Sequence, residues 1–124
     1  MTARRNQSHA CPIRDVLDRV GDAWSVLVIL ELSRGPCRFN ALQRVITGIS
    51  ARMLSVTLRH LERDGLVIRR VMDSSPPQVE YSLTDTGRSL NKAMGQLAQW
   101  AEANQPTIRK SRVRYDAGSA QTAE

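Results

Sequence analysis

A mainly α fold with one small β-hairpin is the class this sequence predicts, and three observations predict it. Apolar residues recur at helical spacing through most of the chain. The period drops to two in a single stretch, residues 66–83, where β-branched and alternating apolar–polar runs flank a polar tip. Two short helical patterns stand just before that stretch, separated by Thr47-Gly48-Ile49. With 124 residues the chain has room for one domain with a modest core. Its 41% hydrophobic and 24% charged residues exclude wholesale disorder.

The elements follow in order. Residues 1–10 are polar and aperiodic and are expected to form a flexible arm. Cys11-Pro12 opens the first helix, since the N–H that proline lacks has no partner in a first turn. Ile13, Val16, Leu17 and Val20 supply one apolar face, and Gly21 stops the run. Asp22 is placed to cap a second helix over 23–33, ended by Gly35-Pro36. Trp24, Val26, Leu27, Val28, Ile29, Leu30 and Leu32 leave that helix almost no polar face, so it is expected to be the central pillar of the core. Cys37-Arg38-Phe39 reads as a short strand. Asn40 with Gln43 three residues on has the form of a capping box, opening a helix striped by Leu42, Val45 and Ile46.

Ser50 is placed to cap a fourth helix running to about residue 64, with Ile49 and Leu54 as a hydrophobic staple and Leu54, Leu58 and Leu61 facing inward. Leu66-Val67-Ile68-Arg69-Arg70-Val71-Met72 and Val79-Glu80-Tyr81-Ser82-Leu83 are the hairpin strands. Thr84 caps a last helix to about residue 104, carrying Leu90, Met94, Leu97 and Ala101 at helical spacing with Trp100 beside them. Past Pro106, the cations Arg109, Lys110, Arg112 and Arg114 lead into small polar residues. Residues 105–124 are therefore expected to be a disordered basic tail, leaving the folded domain at 11–104.

Helix, helix, short strand, helix, turn, helix, hairpin, long helix is the order of a winged helix-turn-helix. Lys and Arg total 18 against 12 Asp and Glu, a net charge of +6, which points to a polyanion: nucleic acid or an anionic membrane surface. Basic residues that only keep the protein soluble would give the same sum. No apolar run approaches the roughly 20 residues that span a bilayer, so no membrane partner is expected. The first ten residues lack the apolar core of a secretory signal, and two cysteines make no disulfide framework, so the expected location is the cytoplasm. His9 and His60 with Cys11 and Cys37 make no metal-ligand spacing. Glycine-rich phosphate loops, H-E-x-x-H and G-x-S-x-G are all absent from the sequence, so no catalytic residue, metal or cofactor is expected. Aromatics at 4% leave no stacking platform for single-stranded bases.

The fourth helix carries the chemistry. With its leucines inward, Arg52, Ser55, Val56, Arg59 and Arg63 turn outward, and no outward carboxylate precedes Glu62. A major groove of duplex DNA admits such a helix: arginine takes both guanine acceptors, and Val56 suits a thymine methyl. Ser50 and the first-turn N–H groups suit a phosphate oxygen. A solvated basic face on an ordinary core helix is the competing interpretation. On the hairpin, Arg69, Arg70, Ser74, Ser75 and Gln78 suit backbone contacts that position the protein. Arg38 and Asn40, with Arg44 nearby, sit beside the first helix of the pair and extend the same set. A protein-interaction module on this fold is the alternative that stays open.

Several blocks resemble the HxlR-type subgroup of winged-helix transcription regulators, itself related to the MarR group. They are Cys11-Pro12, Gly21-Asp22-Ala23-Trp24, Leu32-Ser33-Arg34-Gly35-Pro36-Cys37-Arg38-Phe39, Gly48-Ile49-Ser50-Ala51-Arg52-Met53-Leu54, Leu58-Arg59-His60-Leu61-Glu62-Arg63-Asp64-Gly65-Leu66-Val67, Pro77-Gln78-Val79-Glu80-Tyr81-Ser82-Leu83-Thr84 and Gly87. The resemblance covers about residues 11–101. It implies a bacterial-type homodimer on a pseudo-palindromic duplex operator, repressing or activating transcription, with Arg52, Ser55, Val56 and Arg59 on the recognition helix. It also implies dimerisation through the terminal helices, by Ile13, Val16 and Leu17 and by Leu90, Met94, Leu97, Trp100 and Ala101. Some members of the group sense oxidants or electrophiles through a cysteine at the position of Cys11, which makes Cys11 a candidate redox sensor and an oxidant or small molecule a candidate effector. Cys37 stands where the group commonly has lysine or another polar residue, so no sensing role transfers to it.

Overall fold

The computed structural model describes residues 12–123; the expected arm and Cys11 lie outside the described residues. The elements are α1 (Pro12–Val20), α2 (Ala23–Leu32), β1 (Cys37–Arg38), α3 (Phe39–Val45), α4 (Ala51–Arg63), β2 (Val67–Met72), β3 (Gln78–Leu83) and α5 (Asp85–Ala123). They fall into two compact units that part between Asn91 and Lys92. The first holds every element up to the opening turns of α5, and the second is the rest of α5.

In the first unit α2 packs on α1, α4 and β3, while α4 packs on β2 and α3 on β1 and β3. Asp22 caps α2 as its position predicts: the carboxylate accepts from the Trp24 N–H at 3.3 Å and from the Ser25 hydroxyl at 2.7 Å. Val28, Ile29 and Leu32 of α2, Leu42 of α3, Leu54, Leu58 and Leu61 of α4, and Val67, Tyr81 and Leu83 of the sheet form the core. Truncating any of the leucines to alanine should cost about 2–5 kcal/mol. The expectation that α2 is buried on most sides holds for only part of its circumference. Leu27 and Leu30 are 40% and 48% exposed.

The three strands form one antiparallel sheet in the order β1-β3-β2. Cys37 pairs with Tyr81 and Arg38 with Glu80; across the hairpin, Val67 pairs with Leu83, Arg69 with Tyr81 and Arg70 with Glu80. This sheet corrects the start of α3. Pairing with β3 holds Arg38 extended at φ −82°, ψ 157°, so the helix begins at Phe39, with Arg38 as a cap that makes no side-chain bond. Asn40 therefore lies within the first turn and is not the capping residue. Val45, expected in the apolar stripe, is exposed, while Leu42 and Ile46 are buried.

A larger correction concerns the C-terminus. Where the sequence predicts a helix ending near residue 104 and a disordered tail at 105–124, α5 runs through Pro106 to Ala123. The composition of this segment is unable to build a core, but a helix needs only local hydrogen bonds. Pro106 removes one of these and crowds the carbonyl a turn earlier. The residues after it are rich in Arg, Lys and Ala, which favour helix.

Candidate nucleic-acid interface

The helix-turn-helix is α3, the turn at Thr47-Gly48-Ile49, and α4. Ser50 caps α4, its hydroxyl oxygen accepting from the Met53 N–H at 3.0 Å. Ile49 and Leu54 are both buried, as a hydrophobic staple requires. The C-terminal end closes with two reversed bonds, Gly65 N–H to Glu62 carbonyl at 3.0 Å and Leu66 N–H to Leu61 carbonyl at 3.0 Å. This arrangement needs a left-handed residue after the cap, and Gly65 supplies it at φ 75°. Thr84 then clasps the turn: its hydroxyl donates to the Gly65 carbonyl at 2.6 Å and accepts from the Gly87 N–H at 3.0 Å, capping α5 with the same oxygen. One further tie escaped sequence reasoning. Arg19 of α1 pairs with Asp64, the residue that ends α4, and nothing local announces a contact between residues 45 positions apart.

The inward row of α4 is Leu54, Thr57, Leu58 and Leu61, all buried. Opposite it, Arg52, Val56, Arg59 and Arg63 follow one another at intervals of four, three and four along a single line of the helix. The three arginines are exposed, Ser55 and Val56 are half-buried, and among the described residues none of the arginines is in an ion pair. A guanidinium with no internal acid to hold it keeps all its donors for a partner. The conditions a groove-reading helix must meet are geometric and electrostatic, and this face meets both.

On the sheet, register divides cations that sequence order places together. Arg69 shares a face with Cys37 and Tyr81, whereas Arg70 shares the opposite face with Arg38 and Glu80. Glu80 thus stands between two arginines on adjacent strands. It is the carboxylate closest in register to the candidate contacts, and only strand pairing reveals it. At the hairpin tip Ser74 and Ser75 are exposed, and the Ser74 hydroxyl donates to the Pro76 carbonyl at 2.8 Å. Arg38, Asn40 and Arg44 meet Pro77, Gln78 and Val79 around a groove of about 420 Å³. Gln78 Oε1 is buried there without a hydrogen-bond partner among the described residues. The groove joins three candidate contacts from separate parts of the chain, Arg38, Asn40 and Gln78.

Cys37 is half-buried and free. Burial pushes its thiol up from the ordinary value, and the carboxylates of Glu31 and Glu80 add to the rise against the Arg38 backbone N–H and the charge of Arg44. Of the residues expected at a dimer interface, Ile13, Val16 and Leu17 of α1 are exposed, as are Leu97, Trp100 and Ala101 of α5; Leu90 and Met94 are half-buried. No helix among the described residues is long and apolar enough to cross a membrane.

The family model of HxlR-like helix-turn-helix proteins matches residues 19–109. The uncharacterised HTH-type transcriptional regulator YybR of Bacillus subtilis (strain 168) is 36% identical over 115 residues, covering 90% of this chain and 92% of YybR. Among solved structures, the redox regulator HypR in its reduced form superposes with a TM-score of 0.72 at 38% identity, covering 81% of this chain and 99% of HypR. The reduced form of the transcriptional regulator YodB from B. subtilis gives 0.69 at 33% identity, over 74% of this chain and 91% of YodB. The fold is a winged helix, and the family and relatives are transcriptional regulators rather than enzymes. The chain belongs to the HxlR-like helix-turn-helix family.

Proposed function

We propose that the protein binds duplex DNA sequence-specifically as a homodimer in the cytoplasm, with α4 in the major groove and the hairpin along the backbone. The observation that carries this is the exposed row Arg52, Val56, Arg59 and Arg63, free of internal acids. Arg52 and Arg59 supply base contacts, with Ser55 and Val56 beside them, while Ser50, Arg38, Asn40, Arg63, Arg69, Arg70, Ser74, Ser75 and Gln78 hold phosphate and sugar. Two copies place their α4 helices about one DNA turn apart, roughly 34 Å, on a pseudo-palindromic site. Exposed Ile13, Val16 and Leu17 in α1, and Leu97 and Trp100 in α5, support pairing through these helices.

The test is to select duplexes from a random pool and to titrate a selected one at several salt concentrations. Binding through these cations should weaken by a log–log slope of about −0.9 for each phosphate contacted. No enrichment of any sequence would overturn the proposal.

The redox regulator HypR supports a second element: Cys11 acts as the sensor, its modification altering the dimer and with it the operator affinity. Alkylating Cys11 in a Cys37→Ser background should change affinity in a gel-shift titration. Unchanged affinity would remove the switch and leave DNA binding intact.

A further inference from the structure

Residues 107–115 read Thr-Ile-Arg-Lys-Ser-Arg-Val-Arg-Tyr, four cations and no carboxylate, and lie in α5 beyond Pro106. Arg109, Lys110, Arg112 and Arg114 are all exposed, and among the described residues none is in an ion pair. The DNA-binding role proposed above uses none of them, and all but Arg109 lie beyond the residues matched by the family. The helix brings three of them together. Arg109, Lys110 and Arg114 line one shallow surface cleft with Val113 between them.

Such a cluster works against its own helix. Arg109 and Arg112 are three residues apart and Lys110 and Arg114 four, spacings at which like charges repel. The one acid in 107–123, Asp116, follows Arg112 by four, the weaker order for an ion pair, and among the described residues it is in no ion pair. A polyanion laid along the helix would relieve this repulsion.

We propose that residues 109–114 of α5 form a second, sequence-independent site for the phosphate backbone of duplex DNA. This rests on the DNA-binding role proposed above. Duplex DNA carries a charge every ~1.7 Å of its axis, so a helical segment of about 9 Å faces several phosphates. An anionic bilayer fits less well. A helix lying in a membrane surface needs one continuous apolar face, whereas exposed Val113 and Tyr115 are two residues apart, on different sides of the helix, with Arg114 between them.

The test compares the full-length protein with a full-length variant carrying Arg109→Gln, Lys110→Gln, Arg112→Gln and Arg114→Gln, since glutamine keeps helix propensity while removing charge. Binding to a random-sequence duplex is measured against salt. The variant should bind about tenfold or more weakly at low salt. Its slope should be shallower by about 0.9 for each phosphate it no longer neutralises, hence by about 2–4. Far-ultraviolet circular dichroism of the free proteins should show the variant at least as helical as the native protein, since the substitutions remove like charges from α5. A second variant, Arg52→Gln with Arg59→Gln, should lose preference for selected sequences yet keep salt-sensitive binding to the random duplex.

Equal affinity and slope in the native protein and the four-glutamine variant would overturn this site while the winged domain's role stands. Failure of the native protein to bind any duplex would overturn both. Phosphatidylglycerol vesicles serve as the rival probe: vesicle binding abolished in the four-glutamine variant with duplex binding unchanged would assign the surface to a membrane and overturn the proposal.

Discussion

At Gly87 a single added carbon would meet backbone that cannot turn aside. A Cβ there would lie 2.1 Å from the Leu66 carbonyl oxygen and 3.1 Å from Leu83 Cδ2, because α5 starts directly against the turn that ends α4. Gly87→Ala should therefore destabilise the protein by about 1–3 kcal/mol, with a lowered midpoint in thermal unfolding. Cys37 makes a second prediction at this scale. A raised folded-state pKa keeps the thiol protonated at neutral pH, so less of the reactive thiolate is present than in a free cysteine. In a Cys11→Ser variant, iodoacetamide should modify Cys37 more slowly than it modifies free cysteine at pH 7.5. The rate should climb as pH rises toward the shifted pKa. Equal rates at neutral pH would show that burial does not protect this thiol.

Between elements, α4 shows how local chemistry and tertiary contact divide the work. Its limits were legible: Ser50 before the leucine stripe and Gly65 after it are near-neighbour signals, and the cap bonds form where the sequence places them. Its outward row was legible too, since helical spacing alone puts Arg52 and Arg59 opposite Leu54, Leu58 and Leu61. Arg59→Ala should cost on the order of 1–3 kcal/mol of operator binding and relax preference at one base position; a uniform loss over all sequences would make Arg59 a phosphate contact instead. The strands were less legible. Arg69 and Arg70 are neighbours in sequence and divide between opposite faces of the sheet, and Glu80 becomes a neighbour of Arg38 and Arg70 only through register. At α3 the same sheet displaced the expected cap from Asn40 to Arg38.

For the whole molecule, the exposed apolar residues of the terminal helices bear directly on the pairing proposed above. Leu97 and Trp100 are 55% and 57% exposed and stand three residues apart, on one side of α5. If pairing buries them, Trp100→Glu should shift the protein from dimer to monomer in sedimentation equilibrium and weaken operator binding through loss of the second half-site. An unchanged mass would show that these side chains are not a pairing surface. The tail shows where composition misleads. Charge and small residues exclude a packed core, and residues 105–123 build none, but hydrogen bonds within one segment suffice for the helix they adopt.

By itself the sequence determined the kind and order of the elements, the caps of α2 and α4, and the acid-free row on α4. All of these depend on side chains within a turn or two of one another. Tertiary structure alone decided that Arg19 reaches Asp64, that Glu80 lies between Arg38 and Arg70, and that Arg38, Asn40 and Gln78 share a groove. Such pairings depend on how whole elements close on one another, and spacing along the chain carries no record of that closure.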